Sequence, residues 1–511
     1  MHDPSSVACG DTSSRKGRRK LSGGVFDWLE ADAERVIETS CAWVFLKGER
    51  ALKLKRPVDY GFLDFTTAEK RRWAVERELA FNRVTAPAIY RAVRRVTRGA
   101  DGRLAFDGEG EGEAVDYVLE MRAFDPADVL AEQPDAVDGA LAEQLGRVIA
   151  GFQAKAEVRP QGGGVKALGF TIRTNNENQR AFAAELGAEA VERVIAATDA
   201  ALAAAGPLLE RRRAEGFARR CHGDLHLGNI LLQDGRPVLF DCIEFNDLLS
   251  EIDVLYDVAF TIMDLGFRGR AEAANRLLSA YLDEAARSFP ADLWDGLAAL
   301  PLMLSARASV RSHVTANQGQ LGQARAYLAA AERLLRPPPP TLTAVGGLSG
   351  TGKTTLARRI APLIGRAPGA VVLRSDEIRK RLLGAGPLDR LAPSAYAPEV
   401  SARVYGEMLA AARRVLAAGQ AVVLDAVFLR SEERQAAAAL AGDLGVPFRG
   451  SWLQGPPEML KHRLAARRGD ASDAGPATLE GQLDMDPGVI DWPILDAADP
   501  DAAAARIGAE N

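Results

Sequence analysis

The spacing of hydrophobic and polar positions changes along the chain and predicts where strands and helices lie. In the first two thirds, alternating or β-rich runs predict strands at 43–46, 51–55, 115–121 and around 229–241. Amphipathic or Ala/Leu-rich patterns predict helices at 66–83, over most of 126–214 and again up to residue 335. Since strands come first and helices follow, this part is predicted to form an α+β unit with two lobes.

The last third of the chain alternates regularly between the two patterns. Its predicted strands are 341–345, 370–374, 421–427 and 447–453, and its predicted helices are 353–363, 398–418, 431–442 and 456–468. Such an alternation predicts an α/β unit built on a parallel sheet.

A run of four prolines, Pro337 to Pro340, separates these two patterns. Proline cannot continue a helix and favours an extended spacer. We therefore predict a linker at 337–340 between two units that fold separately. The predicted divisions are a disordered tail at 1–24 with a basic run at 15–20, an N-lobe at 25–122, a helical C-lobe at 123–336 and the α/β unit at 341–511.

Composition narrows the class of protein. Of 511 residues, 47% are hydrophobic and 26% are charged, which is typical of a globular chain. The net charge of -5 does not favour nucleic-acid binding, although a polynucleotide 5′-hydroxyl stays open as a substrate of the last unit. Without an apolar run of membrane length or a secretory signal, and with four widely spaced cysteines, we expect a cytoplasmic protein that binds no membrane.

One cluster of oxygen-bearing side chains points to phosphoryl transfer. Asp224 and Asn229 precede an Asp234-Gly235 turn, and pairing across that turn would set Asn229 opposite Phe240, beside Asp241. One carboxylate can orient the proton of an attacking hydroxyl, while Asn229 and Asp241 can hold Mg²⁺. A zinc site at His222 and His226 is disfavoured because no Cys or third His lies nearby.

The pattern His222-Gly-Asp224-x4-Asn229 followed by Asp241 resembles the aminoglycoside phosphotransferase and choline kinase superfamily, which shares the protein-kinase-like fold. The likeness covers roughly residues 25–330. It implies that Asp224 is the catalytic base and that Asn229 and Asp241 are metal ligands. His226 would then position the loop.

The same resemblance implies further residues in the N-lobe. It calls for a strand lysine on the ATP phosphates, Lys53 with Lys55 as the alternative, and for a helix glutamate, Glu78 with Glu76 as the alternative. By order along the chain, 38–42 would cover the phosphates and Met121 would meet the adenine. Asp253 and Asp257 are expected to be structural. Arg307, Arg311 and His313 are expected on a solvent-exposed helix, with a position facing the cleft as the alternative.

A second motif opens the α/β unit. Residues 347–354 fit G-x-x-x-x-G-K-[ST] between a predicted strand and a predicted helix, the context that supports a phosphate-binding loop. Lys353 would reach the β- and γ-phosphates, and Thr354 would complete the Mg²⁺ shell. The residues predicted to bind nucleotide here are Gly347, Ser349, Gly350, Thr351, Gly352, Lys353, Thr354 and Thr355.

Three later side chains favour a kinase over other P-loop proteins. Asp376 follows the second strand and can hold an acceptor hydroxyl, and Asp425 ends a buried strand as a Walker B carboxylate does. Arg467, chosen from Arg463, Arg467 and Arg468, would neutralise the transferred phosphoryl group from a mobile lid. The unit resembles small-molecule P-loop kinases of the gluconate kinase-like and polynucleotide kinase-like groups.

The order of the two units resembles a bacterial family of bifunctional aminoglycoside phosphotransferase-like and ATP-binding proteins. It implies a tandem phosphotransferase that uses ATP and Mg²⁺ at both sites, with small-molecule hydroxyls as acceptors. Nothing in the sequence identifies either acceptor. The alternatives are a nucleotide-sensing regulator, in which one site binds ATP without turnover, and a plain ATPase scaffold.

Overall fold

The computed structural model describes residues 24–61, 63–107, 112–466 and 471–509. These residues form two compact units. The first contains the chain up to 137 together with 155–267 and 302–332, and the second contains 138–154, 268–301 and the chain from 333 onward. The basic run at 15–20 lies outside the described residues.

The strands and helices before the proline run fall in this order. The strands are β1 (Arg35–Glu38), β2 (Ala42–Lys47), β3 (Arg50–Lys55), β4 (Tyr90–Arg98), β5 (Leu104–Phe106), β6 (Glu113–Arg122), β7 (Ala218–Arg220), β8 (Ile230–Gln233), β9 (Arg236–Leu239) and β10 (Glu251–Asp253). The helices are α1 (Val25–Asp32), α2 (Ala68–Thr85), α3 (Gly139–Lys155), α4 (Gly164–Ala181), α5 (Ala183–Leu186), α6 (Ala188–Ala214), α7 (Asp247–Ser250), α8 (Val254–Phe267), α9 (Ala271–Ser288), α10 (Leu300–Asn317) and α11 (Leu321–Leu334).

An antiparallel sheet of six strands, in the order β1-β2-β3-β6-β4-β5, forms the start of the first unit. Helix α2 begins at a Thr67 cap that accepts a hydrogen bond from the backbone of Lys70, and it packs against β4 and β6. The sheet therefore holds β3 between β2 and β6, with α2 close by. The predicted strands at 43–46, 51–55 and 115–121 and the helix at 66–83 are confirmed, whereas the β4–β5 hairpin was missed.

After the proline run strands and helices alternate, and the structure adds one strand and three helices that were not predicted. The strands are β11 (Leu342–Gly347), β12 (Val371–Arg374), β13 (Val422–Asp425), β14 (Phe448–Gln454) and β15 (Ile494–Asp496). The helices are α12 (Lys353–Ile360), α13 (Ser375–Leu382), α14 (Pro398–Ala417), α15 (Ser431–Leu444), α16 (Pro457–Ala466), α17 (Pro476–Leu483) and α18 (Pro500–Ala509). All five strands are parallel, in the order β12-β13-β11-β14-β15, which confirms the α/β prediction.

The core of the second unit lies between this sheet and its helices. Buried Val345 and Val423 come from the central strands, and buried Leu356 and Ile360 come from the face of α12 that covers them. Burying these side chains is worth roughly 2 kcal/mol each. The packing fixes the start of α12 at the end of β11, where the glycine-rich motif lies.

The compact units do not divide the chain at the proline run. The segments 138–154 and 268–301, which contain α3 and α9, precede the prolines but belong to the same compact unit as the parallel sheet. The expectation that a cut at 337–340 yields two folded pieces stays a prediction, and the packing of 138–154 and 268–301 with the parallel sheet counts against it. Among residues 24–61, 63–107, 112–466 and 471–509, no helix is both long and apolar enough to cross a membrane.

Candidate active sites

The buried lysine pair of β3 lies at the centre of the first site. Lys53 Nζ lies 2.7 Å from Glu78 Oε1 on α2 and 2.8 Å from Asp241 Oδ1. Glu78 is fully buried, whereas Glu76 is exposed and pairs with Arg72 on the same helix. The structure thus brings Lys53, Glu78 and Asp241 together, and it leaves Glu76 on the surface.

Lys55 holds a second carboxylate that the sequence reasoning missed. Its Nζ lies 2.7 Å from Glu78 Oε2 and 2.6 Å from Glu244 Oε1, so Glu78 is shared by both lysines. Burial by itself raises the pKa of Glu78, but the charges of Lys53 and Lys55 outweigh it and hold that pKa at about 2. Two lysines on one face of a strand could have signalled a second buried carboxylate, because an unpaired buried ammonium is costly.

The predicted hairpin is confirmed in its register. Gln233 pairs with Arg236 and Ile230 with Leu239, and the Phe240 N–H donates to Asn229 O at 3.1 Å. The turn residue Asp234 has a φ of 50°, a conformation that Asp tolerates. The hairpin therefore brings the backbone before Asp241 next to Asn229, as the sequence predicts.

Asp224 lies in a loop that two histidines shape. His222 Nε2 donates to Phe240 O at 2.8 Å, while its Nδ1 accepts from the Asp224 N–H at 3.3 Å, which defines a neutral ring. Burial lowers the pKa of His222 in agreement with this state. His226 Nδ1 accepts from the Gly228 N–H, and its Nε2 lies 3.5 Å from Asp224 Oδ2. Burial opposes ionisation of Asp224, but His226, His222 and Arg307 hold the pKa of its carboxyl far below the usual range.

Hydrogen bonds donated by its amide nitrogen fix the orientation of the Asn229 side chain. Its Nδ2 donates to Asp224 O at 2.8 Å and to Asp224 Oδ2 at 3.1 Å. Its Oδ1 is buried and has no hydrogen-bond partner among the described residues. Asp241 follows the hairpin with a φ of 62°, and its N–H donates to Tyr90 Oη at 3.1 Å. A buried amide oxygen without a hydrogen-bond partner among the described residues fits a hard cation such as Mg²⁺.

Side chains of α8 and α10 form hydrogen bonds with the backbone of the loop that carries Asp224. The Asp257 carboxylate accepts the N–H groups of His222 and Gly223, at 3.2 and 2.8 Å. The Arg307 guanidinium donates to Gly223 O at 2.9 Å and is only 4% exposed. Asp253 accepts from the Leu255 N–H at 2.8 Å and caps α8, so its structural reading is confirmed.

The expectation of a solvent-exposed helix at α10 is wrong. Arg307 and His313 are buried and Arg311 is half-buried. His313 Nε2 donates to Asn175 Oδ1 at 3.2 Å, and burial lowers the pKa of His313 to about 4. Charged residues on a helix can face inward when backbone carbonyls or side-chain amide oxygens accept hydrogen bonds from them, and the one-dimensional pattern does not reveal such partners.

The remaining N-lobe predictions concern a loop and one strand residue. Residues 38–42 join β1 to β2, and Thr39 Oγ1 both donates to Ala42 O and accepts from the Ala42 N–H. Met121 lies near the end of β6, is 8% exposed and packs in the apolar cluster that includes Phe240. Their roles toward phosphates and adenine stay predictions.

The glycine-rich loop of the second unit connects β11 to α12. Gly350 and Gly352 have φ values of 88° and 91°, and a Cβ on Gly350 would meet Leu460 O at 2.8 Å. These positions require glycine, because an L side chain would be strained and would push the loop away. Lys353 Nζ donates to Leu348 O at 3.0 Å, and the Ser349 N–H donates to Gln482 Oε1 at 2.8 Å.

The predicted metal-binding groups of this site meet at the strand ends. Thr354 Oγ1 donates to Asp425 Oδ2 at 2.6 Å. A basic side chain that was not predicted joins them: Arg374 Nε lies 3.3 Å from Asp425 Oδ2, and its Nη2 lies 3.3 Å from Thr354 Oγ1. Arg374 and Asp425 are register partners on β12 and β13, so the alignment of parallel strand ends would have revealed the pair. A hydroxyl beside a carboxylate fits Mg²⁺.

Asp376 lies in the first turn of α13, a helix that the sequence reasoning did not predict. Burial raises the pKa of its carboxyl although Arg374 acts in the opposite direction, and Asp425 adds to the rise. Arg463 Nη1 donates to Ala497 O at 3.0 Å, whereas Arg467 and Arg468 lie outside the described residues.

Comparisons with known proteins match both parts of the chain. The sequence model of the phosphotransferase enzyme family matches residues 62–300, and that of an AAA domain matches 342–485. Uncharacterized proteins of Mycobacterium bovis and Mycobacterium tuberculosis are 31% identical over 463 residues, which cover 86% of this chain and 87% of theirs. The chain belongs to their family. In it, an aminoglycoside phosphotransferase-like domain precedes a P-loop kinase-like domain.

Two solved structures are similar to parts of this family member. A choline/ethanolamine kinase family protein from Mesorhizobium loti is 14% identical with a TM-score of 0.34, over 63% of this chain and 95% of that one. A gluconokinase from Sinorhizobium meliloti is 23% identical with a TM-score of 0.23, over 34% and 95%. The predicted fold class, a kinase-like α+β domain followed by an α/β P-loop domain, is confirmed. Both family models support phosphotransferase activity.

Proposed function

We propose that the chain is a tandem ATP-dependent phosphotransferase, in which each domain transfers the γ-phosphoryl group of ATP to a hydroxyl of a small molecule. The observation that carries the proposal is the contact of Lys53 with both Glu78 and Asp241, since it sets a buried cation beside the carboxylate of the proposed metal site. A lysine held this way is suited to bind nucleotide phosphates.

In the first domain the residues divide into two tasks. Asn229 Oδ1 and the Asp241 carboxylate would hold Mg²⁺, which offsets the charge of the phosphates when bound. Asp224 is ionised and would orient the acceptor hydroxyl and take its proton. The acceptor oxygen then bonds to phosphorus as the bond between the γ-phosphorus and the bridging oxygen of ADP breaks.

In the second domain the loop glycines expose N–H groups to the phosphates, and Lys353 would swing from Leu348 O to reach them. Thr354 and Asp425 would hold the metal, and Asp376 would accept the proton of the acceptor. Two complete sets of groups favour two transfer reactions.

The test is product analysis with γ-labelled ATP and a fractionated metabolite mixture. Lys53→Ala and Lys353→Ala should each remove a different labelled organic product. Lys47→Ala is the control for Lys53→Ala, since Lys47 lies on the neighbouring strand and is 55% exposed. Release of inorganic phosphate alone at either site, with no labelled organic product, would support the regulatory or ATPase alternative for that site.

A further inference from the structure

Helix α3 carries a charge network into the second site. The Glu143 carboxylate on α3 lies 2.6 Å from Arg358 Nη2 on α12, the helix that starts at Lys353. It also lies 3.0 Å from Arg276 Nη2 on α9. One carboxylate thus forms ion pairs with guanidinium groups on two other helices of the same compact unit.

One turn further along α3, Arg147 continues the network. Its Nη2 lies 3.7 Å from Glu377 Oε1 on α13, and the same carboxylate oxygen lies 3.0 Å from Arg374 Nη1. Arg374 in turn contacts Thr354 and Asp425, the two groups assigned to the metal. An unbroken series of charges therefore runs from α3 to the metal-binding groups.

Repulsion between the arginine charges explains why this arrangement needs the Glu143 carboxylate of α3. Burial lowers the pKa of the Arg358 guanidinium, the nearby Arg374 charge lowers it further, and Glu143 acts in the opposite direction. Without Glu143, Arg358, Arg276 and Arg374 would repel one another in a largely buried region. A displacement of α12 or of Arg374 would relieve this repulsion at the lowest cost in free energy. Helix α12 carries groups of the phosphate-binding loop, and Arg374 contacts them.

We infer that Glu143 and Arg147 are positioning residues of the P-loop site, so that residues 341–511 contain the motif but not the complete site. The inference rests on the proposed function, because it assigns to these residues the placement of groups that bind Mg²⁺ and nucleotide. Neither residue touches a reacting atom. Glu143 acts through Arg358, and Arg147 acts through Glu377 and Arg374.

The experiment measures binding of a fluorescent ATP analogue to the full-length chain, with Mg²⁺ and with EDTA. The P-loop contribution is the part that Lys353→Ala removes. Glu143→Gln should weaken that part by about three- to tenfold, and Glu143→Asp should recover some of the loss, since it keeps the charge. Arg147→Met should lower the gain in affinity that Mg²⁺ provides, a quantity that a purely structural role leaves unchanged.

A double-mutant cycle and a matched control complete the design. Because Glu143 acts through Arg358, Glu143→Gln should cost less in the Arg358→Met background than it costs in the wild type. Arg413→Ala removes a surface ion pair with Asp443 in the same unit and should change nothing. Wild-type binding by Glu143→Gln and Arg147→Met, or additive effects in the cycle, would overturn the inference. If Lys353→Ala removes no binding, the proposed function fails instead.

Discussion

Lys53 Nζ and Asp241 Oδ1 lie 2.8 Å apart although 188 positions separate the two residues in the sequence. The contact joins β3 of the antiparallel sheet to the residue that follows the β8–β9 hairpin. It therefore links the group proposed to bind the phosphates with a group proposed to hold the metal.

Asp224 and Asp241 should differ in what they contribute. Asp224→Ala should lower kcat by about 10² or more with little change in nucleotide affinity, because a base that orients the acceptor contributes mainly to the transfer step. Asp241→Ala should weaken Mg²⁺-dependent ATP binding at the first site, and Asn229→Ala should do the same. Calorimetry on the full chain carrying Lys353→Ala isolates this site. Loss of ATP binding in Asp224→Ala, with binding intact in Asp241→Ala, would reverse the role assignment.

Glu78 should contribute stability that depends on pH. Its folded pKa of about 2 lies below the ordinary value of 4.5, so the stabilisation is complete above about 4.5 and is lost as the pH falls toward 2. Glu78→Gln leaves Lys53 and Lys55 buried with one fewer partner, and it should lower the free energy of unfolding by about 3 kcal/mol at pH 7. Denaturant titrations across this pH range measure both quantities.

The matched control for Glu78 is Glu76, two positions away on α2 but exposed and paired only with Arg72. Glu76→Gln should leave the unfolding curve nearly unchanged. Equal losses in the two variants, or a Glu78→Gln effect that persists below pH 2, would contradict the ionic role of the lysine cluster.

We expect that Gly223 tolerates no side chain, and Gly235 serves as the comparison that separates steric overlap from backbone strain. Gly223 and Gly235 have φ values of 86° and 71°, so alanine at either position costs about 1–2 kcal/mol of backbone strain. At Gly223 the added Cβ would also meet Leu249 O at 2.7 Å, whereas nothing lies within 4 Å at Gly235. Gly223→Ala should therefore displace the loop of Asp224 and lower kcat as well as stability.

Turnover and melting temperature of the two alanine variants separate these effects. Gly235→Ala should lose stability only. If Gly223→Ala kept full turnover, the loop would be more adaptable than its hydrogen bonds with Asp257 and Arg307 indicate.

We expect that dividing the chain at the proline run lowers its stability. Asn275 Nδ2 donates to Ala370 O at 2.8 Å, and Arg366 Nη2 donates to Leu297 O at 2.7 Å. Both bonds are buried and join residues on opposite sides of the run within one compact unit. A chain cleaved at an inserted protease site at 337–340 should therefore elute from gel filtration as one species, and residues 341–511 expressed alone should be less stable. Separation of the cleaved halves without denaturant would count against this arrangement.

The sequence by itself determined the local elements and both motifs. Strong periodicity located most strands and helices, the Asp234-Gly235 turn fixed the register that brings Asn229 to Phe240, and the P-loop was recognisable because glycine is required at its positive φ angles. These features depend on neighbours within about a dozen residues, so the local sequence is sufficient to specify them.

Only the tertiary structure decided which distant charges share a site. Lys55 with Glu244, Arg374 with Asp425 and Glu143 with Arg358 are contacts between elements far apart in sequence. The sequence does not distinguish a charged residue on the surface from one that is buried and paired. A charge is buried where a partner that folding brings near offsets the cost of burial. For the same reason the proline run, a local signal, marked a change of pattern but not the limit of the packed unit.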